Sequence, residues 1–266
     1  MKTINKITNG LLTACLLFSF LHTAQGQLGL KIKGGSLYRG VEQDMVFGLN
    51  SNYFNDLSSH DFSDQMFRAG VDEAYFHSGI CENMHYRAEL LLAPKTSTNT
   101  EIRLSMSYIP NRVDMLSYYN DEHYLNMSSY NDEVSVGLSY MKYVNLGKAF
   151  RLYGGIGTNI GLIHNHRLYL DGDLTMSTAD VGILNTGSDA IPVFDENDGY
   201  VFSYEDGPSG ISQRVFLKAG VALRIANRVE LGLNANYGVG YRYFQNSTIR
   251  GTNLVGLGLS LGYSID

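Results

Sequence analysis

The stretch RVELGLNANYGVGYRYFQN, Arg228 to Asn246, alternates almost without error. Val229, Leu231, Leu233, Ala235, Tyr237, Val239, Tyr241 and Tyr243 share one parity, and Glu230, Asn234, Asn236 and Arg242 fall on the other. Side chains on a strand point alternately to opposite faces, so this period of two specifies a long strand and excludes an amphipathic helix. Two architectures use such a strand. In a soluble sandwich the apolar face is the core and the polar face meets water. In a membrane barrel the apolar face meets lipid and the polar face fills the lumen.

The start of the chain helps to choose between them. Lys2 and Lys6 precede the apolar run from Leu11 to Leu21, and Ala24, Gln25 and Gly26 place small residues around a cleavage point before Gln27. This is the pattern of a secretory signal peptide over residues 1–26, leaving 27–266 as one β-domain. Cys15 sits in LTAC, a lipobox-like tetrad, but the apolar run continues well past it. Losing the leader removes two lysines and no acids, so the formal charge of −6 becomes more negative by two. That balance is a poor match for nucleic acid. Cys81 is then the remaining cysteine, so an internal disulfide is excluded. After residue 26 there is no uninterrupted apolar run of the ~18 residues a membrane helix needs. Any membrane crossing there must use strands. The abundance of Gly (29) and Tyr (19) beside only 4 Pro suits that reading.

Read back from the C-terminus, the same habit recurs. TNLVGLGLSLGYSID sets Val255, Leu257, Leu259, Leu261 and Tyr263 on one face. ISQRVFLKAGVALRIAN sets Ile211, Val215, Leu217, Ala219, Val221, Leu223 and Ile225 outward against Arg214, Lys218 and Arg224. Ala149 to Ile163, Asp132 to Asn145, Thr100 to Pro110 and Met84 to Lys95 follow less cleanly. Each reaches the ~9 to 11 residues of a tilted membrane strand, where soluble strands usually stop at about five or six. Leu28 to Tyr38 and Phe67 to Gly79 both qualify as the first strand. Taking either gives about eight strands, and the expected fold is an all-β, transmembrane, antiparallel up-and-down barrel.

Connections sort the same way. TSTNT, LGKA and ANR are short, whereas Asn111 to Asn131, His164 to Gly210 and Gln245 to Gly251 read as long loops, and the two kinds alternate. Outer-membrane barrels are wired with short turns inside and long loops outside the cell. In the hairpin around Ala226, Asn227 and Arg228, a three-residue loop would set Ile225 opposite Val229 and Arg224 opposite Glu230. A two-residue loop would mix the faces.

The inward set collects Arg87, Glu89, Glu101, Arg103, Arg151, Arg214, Lys218, Arg224, Glu230 and Arg242, interleaved with glycines. An eight-stranded barrel is just wide enough for side chains to fill it. A structural lumen network of opposed charges is the expectation, with a proton or ion path as the alternative. Outward tyrosines 108, 140, 237, 241, 243 and 263 suggest aromatic girdles at the two interfaces.

Sequence signals for chemistry are sparse. His164 and His166 with Asp171 and Asp173 could ligate a metal, yet lack a third His or Cys at zinc-like spacing, so a solvated loop is expected there. DENDGY, residues 195–200, puts Gly199 at the fifth position where a calcium loop of the EF-hand type needs it at the sixth, though exposed carboxylates can still bind calcium. His60, Asp61, His77, Ser78, His85 and His123 form no spaced catalytic motif. No catalytic residue, cofactor or metal ligand is assigned.

The C-terminal half, with RLYGGIGTNIGLI, VFLKAGVALRIANRVELGLNANYGVGYRY and LVGLGLSLGYSID, resembles the small outer-membrane β-barrel families of Bacteroidota, loosely PorT-like or OmpA-barrel-like. The resemblance spans about Arg151 to Asp266. It implies an eight-stranded barrel in the outer membrane, in families with members linked to type IX secretion, adhesion and envelope integrity. No functional residue carries over. Such barrels commonly finish on an aromatic residue, whereas Tyr263 here precedes Ser264, Ile265 and Asp266. The expected function is that of a non-enzymatic, monomeric barrel surrounded by outer-membrane lipid. Its exterior loops would bind an envelope or extracellular protein partner. A narrow porin-like channel and a lipid-modifying barrel enzyme are the alternatives.

Overall fold

The computed structural model describes residues 30–47, 49, 51–57, 76–78, 82–94, 99–119, 124–173, 200–226, 228–245 and 247–265. The expected leader, residues 1–26, lies outside them. Among the described residues ten strands and one helix follow in chain order: β1 (Leu30–Val46), α1 (Ser51–Leu57), β2 (Phe76–Ser78), β3 (Glu82–Pro94), β4 (Thr100–Tyr119), β5 (Tyr124–Leu146), β6 (Phe150–Asp173), β7 (Tyr200–Asp206), β8 (Gly210–Ala226), β9 (Val229–Phe244) and β10 (Arg250–Ser264).

Eight strands pair antiparallel into a closed ring, β1-β3-β4-β5-β6-β8-β9-β10 and back to β1. Each ring neighbour is the next ring strand in the chain, which is the up-and-down topology. β2 and β7 stand outside the ring, paired to the far ends of β4 and β6. Closure leaves the eight-stranded ring itself without a free edge, and among the described residues β2 and β7 are each paired on one side.

Alternation decides what each face carries. Outward side chains form a belt of exposed apolar residues, among them Ile156 at 51%, Leu217 at 58% and Leu257 at 63% of full exposure. Inward, Arg112 and Arg242 are fully buried. A soluble protein inverts this arrangement, and an apolar patch encircling a whole molecule far exceeds what water-facing surfaces carry. The short connections Pro94 to Thr100, Leu146 to Phe150 and Ala226 to Val229 gather at one end, the turn end. The opposite ends of these strands form the loop end.

Several expectations change. β1 begins in the first of the two candidate segments but runs on to Val46, and in the second the described strand is only β2, outside the ring. Asn111 to Asn131 is not a long loop, because β4 continues to Tyr119 and β5 starts at Tyr124, with Tyr119 paired to Tyr124. His164 to Gly210 is partly strand: β6 extends to Asp173 and is met there by β7. In the β8–β9 hairpin Arg224 does pair with Glu230, but Ala226 faces Val229 and Ile225 sits in the bulge between. All six named tyrosines are outward. Tyr237, however, faces Leu217 and Val255 in mid-strand and belongs to no rim.

Two bulges explain why the β4–β6 extensions escape a simple period of two. The β4–β5 register shifts at Pro110 and Asn111, where Pro has no amide to donate and Asn111 takes φ 46°. The β5–β6 register shifts beside Asn165, at φ 50°. Each bulge exchanges inward and outward parity. Arg112, Asp114 and His166 therefore face the lumen, where unbroken alternation would place them outside. Asp132 joins the bulges by accepting from the Asn111 amide at 2.9 Å and from Asn165 Nδ2 at 2.8 Å. Left-handed backbone is costly for most residues and least so for Asn, which suits both positions.

Candidate functional site in the barrel lumen

Inward parity on β1, β4, β5, β8 and β9 brings three arginines and three carboxylates together beneath the loop end. Asp44 forms ion pairs with Arg112 at 2.9 Å, Arg214 at 3.1 Å and Arg242 at 2.8 Å. Arg214 also grips both oxygens of Glu133 at 2.7 Å, Arg112 donates to the same carboxylate, and Arg242 donates to Asp114 at 2.6 Å. Three positive and three negative charges alternate with almost no solvent exposure. Such groups are tolerable without water only when paired and hydrogen-bonded. Room for them comes partly from missing side chains: a Cβ on Gly240 would meet Arg214 Cγ at 2.7 Å.

A second cluster centres on Glu89, which accepts from Lys218 at 2.7 Å and Arg103 at 2.8 Å and forms an ion pair with Arg87 at 3.0 Å. From Arg103 it continues to Glu101 and Tyr143, with Tyr143 donating to Glu101. Arg151 pairs with Glu230 at 2.9 Å, and Arg224 reaches the same carboxylate at 3.1 Å at the half-open turn end. Between the clusters Glu42 contacts His85, and the Arg87 guanidinium lies 4.3 Å from the centre of the Tyr38 ring. Charged and aromatic groups therefore fill the barrel along its length.

The ten inward charges expected from sequence all lie in these clusters. Arg214 and Arg242 belong to the first. Arg87, Glu89, Glu101, Arg103, Arg151, Lys218, Arg224 and Glu230 belong to the second and to the turn end. Sequence reasoning missed Glu42, Asp44, His85, Arg112, Asp114 and Glu133. Glu42, Asp44 and Glu133 share a legible parity with Tyr38 and Ser135, and extending those segments would have found them. Arg112 and Asp114 lie beyond the Pro110–Asn111 bulge and carry no such signal.

The loop end is covered. Helix α1 buries Tyr53, Phe54 and Leu57, and Tyr53 donates to Asp114 at 2.9 Å, anchoring the helix on the first charge cluster. Burial, then the adjacent Asp114 carboxylate, push the Tyr53 phenol well above its ordinary range, so it stays a donor. Asp56 ties α1 to Arg250 at 2.9 Å and Thr248 at 2.8 Å. His166 is not in a solvated loop: it is buried and stacks on Phe244 at 4.9 Å. Its Nδ1 donates to the Pro208 carbonyl at 2.9 Å, which leaves Nε2 to accept from Ser129 Oγ at 2.7 Å.

This Ser–His contact is half of a hydrolytic arrangement. Ser129 has no exposed surface and the histidine is oriented by a carbonyl instead of a carboxylate, so the pair acts as packing. His164 stands partly exposed 4.0 Å from Asp132. The side chains of Asp171 and Asp173, His60, Asp61, His123 and the stretch 195–199 lie outside what is described. Among the described residues no three His, Cys, Asp or Glu side chains group as a metal site, and no helix is long and apolar enough to cross a membrane.

No family model and no curated protein matches the chain. Similar solved structures include Neisserial surface protein A (11% identity, 87% of this chain and 98% of that one, TM-score 0.34). The attachment invasion locus protein Ail of Yersinia pestis gives 9%, 88%, 99% and 0.33. The outer membrane protein OprG of Pseudomonas aeruginosa gives 8%, 88%, 97% and 0.41. The barrel assignment itself stands on the hydrogen-bonded ring and its two faces.

Proposed function

We propose that the protein is a non-enzymatic integral barrel of the outer membrane, exported by the leader at 1–26 and related to the small Bacteroidota barrels. Lipid surrounds its apolar belt. Its lumen is closed to ions, and its working surface is the loop end, where it binds an envelope or extracellular protein partner as a monomer.

The carrying observation is the filled lumen. Three arginines interlocked with Asp44, Asp114 and Glu133 obstruct the path, and Tyr53 of α1 stands on them from outside. A conducting pore needs hydrated charge along its wall, and here the charges are spent on one another. Single-channel recording on purified protein in planar bilayers tests this. The expected record is a flat baseline; a steady unitary conductance would overturn the closed lumen in favour of a narrow channel.

A further inference from the structure

Arg39 carries its charge on the lipid side. Its strand neighbours Tyr38 and Gly40 are buried, so Arg39 points outward between exposed Leu37 and Val41. It lies near the middle of β1 and faces Leu259 on β10 and Tyr86 on β3, and Leu259 in turn faces Leu233. Lys31, Lys142 and Arg167 also face outward, but near strand ends or, for Arg167, beyond the β6 bulge. Arg39 therefore sits at mid-height in the belt.

Among the described residues no carboxylate meets it there. The guanidinium lies 5.9 Å from the centre of the Tyr86 ring, which brings no counter-charge. The first outward carboxylate beyond Tyr86 on β3 is Glu82, four residues away, roughly 13 Å along a strand. Arg39 lines a hollow of about 520 Å³, and a second of about 460 Å³ adjoins it through Leu37 and Ala88. One opens towards Val229 and Tyr263 at the turn end, the other towards Tyr108 and Val134 at the loop end. Together they form a shallow trough beside Arg39 on the β1–β3 face.

Taking the membrane placement above as its basis, we propose that this trough seats a membrane-spanning segment of another protein, presenting a carboxylate to Arg39 at mid-bilayer. Charge selects an anionic partner. Depth argues against a lipid headgroup, since about half of the ~25 Å belt separates mid-height from either interface. A second copy of the chain brings no outward carboxylate at mid-height among the described residues, and would set arginine near arginine. Each charge alone is costly in hydrocarbon, and pairing them removes most of that cost.

The test begins with the full chain refolded into neutral phosphatidylcholine vesicles, scored by heat-modifiable gel mobility. Failure of the wild type to fold there refutes the membrane placement, and the trough proposal with it. With folding established, Arg39→Leu is expected to shift the unfolding equilibrium roughly 30- to 900-fold towards the folded barrel, because no partner is present. No shift, or a shift abolished by adding anionic phosphatidylglycerol, overturns the proposal in favour of a lipid phosphate or a solvated arginine. In cells, a photo-cross-linking residue at Met106 should then give an adduct whose partner peptide carries Asp or Glu inside an apolar spanning stretch. That adduct should be lost in Arg39→Leu, kept in Arg39→Lys, and absent when the label is at Leu217 across the barrel. An adduct to a second copy, one insensitive to Arg39, or none refutes it.

Discussion

Asp44→Asn is the most direct test of the charge lattice. The substitution keeps volume and an acceptor oxygen but removes the one carboxylate that contacts Arg112, Arg214 and Arg242 together. Three cations would then share two anions, Asp114 and Glu133, with almost no water to screen the excess. At an effective dielectric of 20 a single contact at ~4 Å is worth about 4 kcal/mol of attraction, and three would exceed any plausible net effect. Desolvation of Asp44 and repulsion among the arginines consume most of it. Breaking a buried pair by removing one partner typically costs about 3–5 kcal/mol, and that is the expected loss here. Since the chain has no Trp, the assay is urea unfolding in phosphatidylcholine vesicles, followed by gel mobility and far-ultraviolet circular dichroism. Combining Asp44→Asn with Arg242→Met restores the charge balance and should recover part of the loss. A cost below about 1 kcal/mol, with no recovery in the double variant, would mean that water screens the cluster and that the lumen is open.

Two other perturbations probe the loop end. Burial first, with Arg242 nearby, lowers the His166 imidazole below its usual range, although the Pro208 carbonyl and Asp114 oppose this. Below pH ~6.5 the unfolded chain therefore binds a proton that the folded one refuses. The stabilisation is present above that pH and is lost as pH falls towards the lower folded value, with a slope of at most about 1.4 kcal/mol per unit. Comparing unfolding midpoints between pH 7.5 and 5 should show a steeper fall in the wild type than in His166→Gln; parallel curves would remove His166 as the cause. At the β6 bulge, Asn165→Ala should cost about 1–2 kcal/mol in the same unfolding assay, through the left-handed backbone it cannot easily adopt. Asn165→Gly should cost clearly less, and equal losses would place the effect in the side-chain bond to Asp132 instead.

The period of two was readable because side-chain direction on a strand is a local property. From Ile211 onward it assigned Leu217, Leu233 and Leu257 to one face and Arg214, Asn234 and Arg242 to the other, and strand length pointed to a closed ring, although the long connection expected at Asn111 to Asn131 proved to be strand. Arg224 opposite Glu230 was readable for the same reason, since register is constrained when two faces must match. Arg39 lay just beyond the Leu28 to Tyr38 candidate, and only the extension of β1 to Val46 put it on the outward face.

Only the tertiary structure decided the rest, because it depends on events that break locality. A bulge at Pro110 and Asn111 and another at Asn165 exchange inside and outside over one or two residues, turning an apparent loop into strands that deliver Arg112, Asp114 and His166 to the interior. Which acid meets which arginine depends on a ring that joins Asp44 of β1 to Arg214 of β8, residues far apart in the chain whose strands are not neighbours in the sheet. The covering of the loop end by Tyr53 comes from a seven-residue helix with neither length nor periodicity enough to announce itself. Sequence alone determined the faces of each regular strand; closure of the barrel determined their partners.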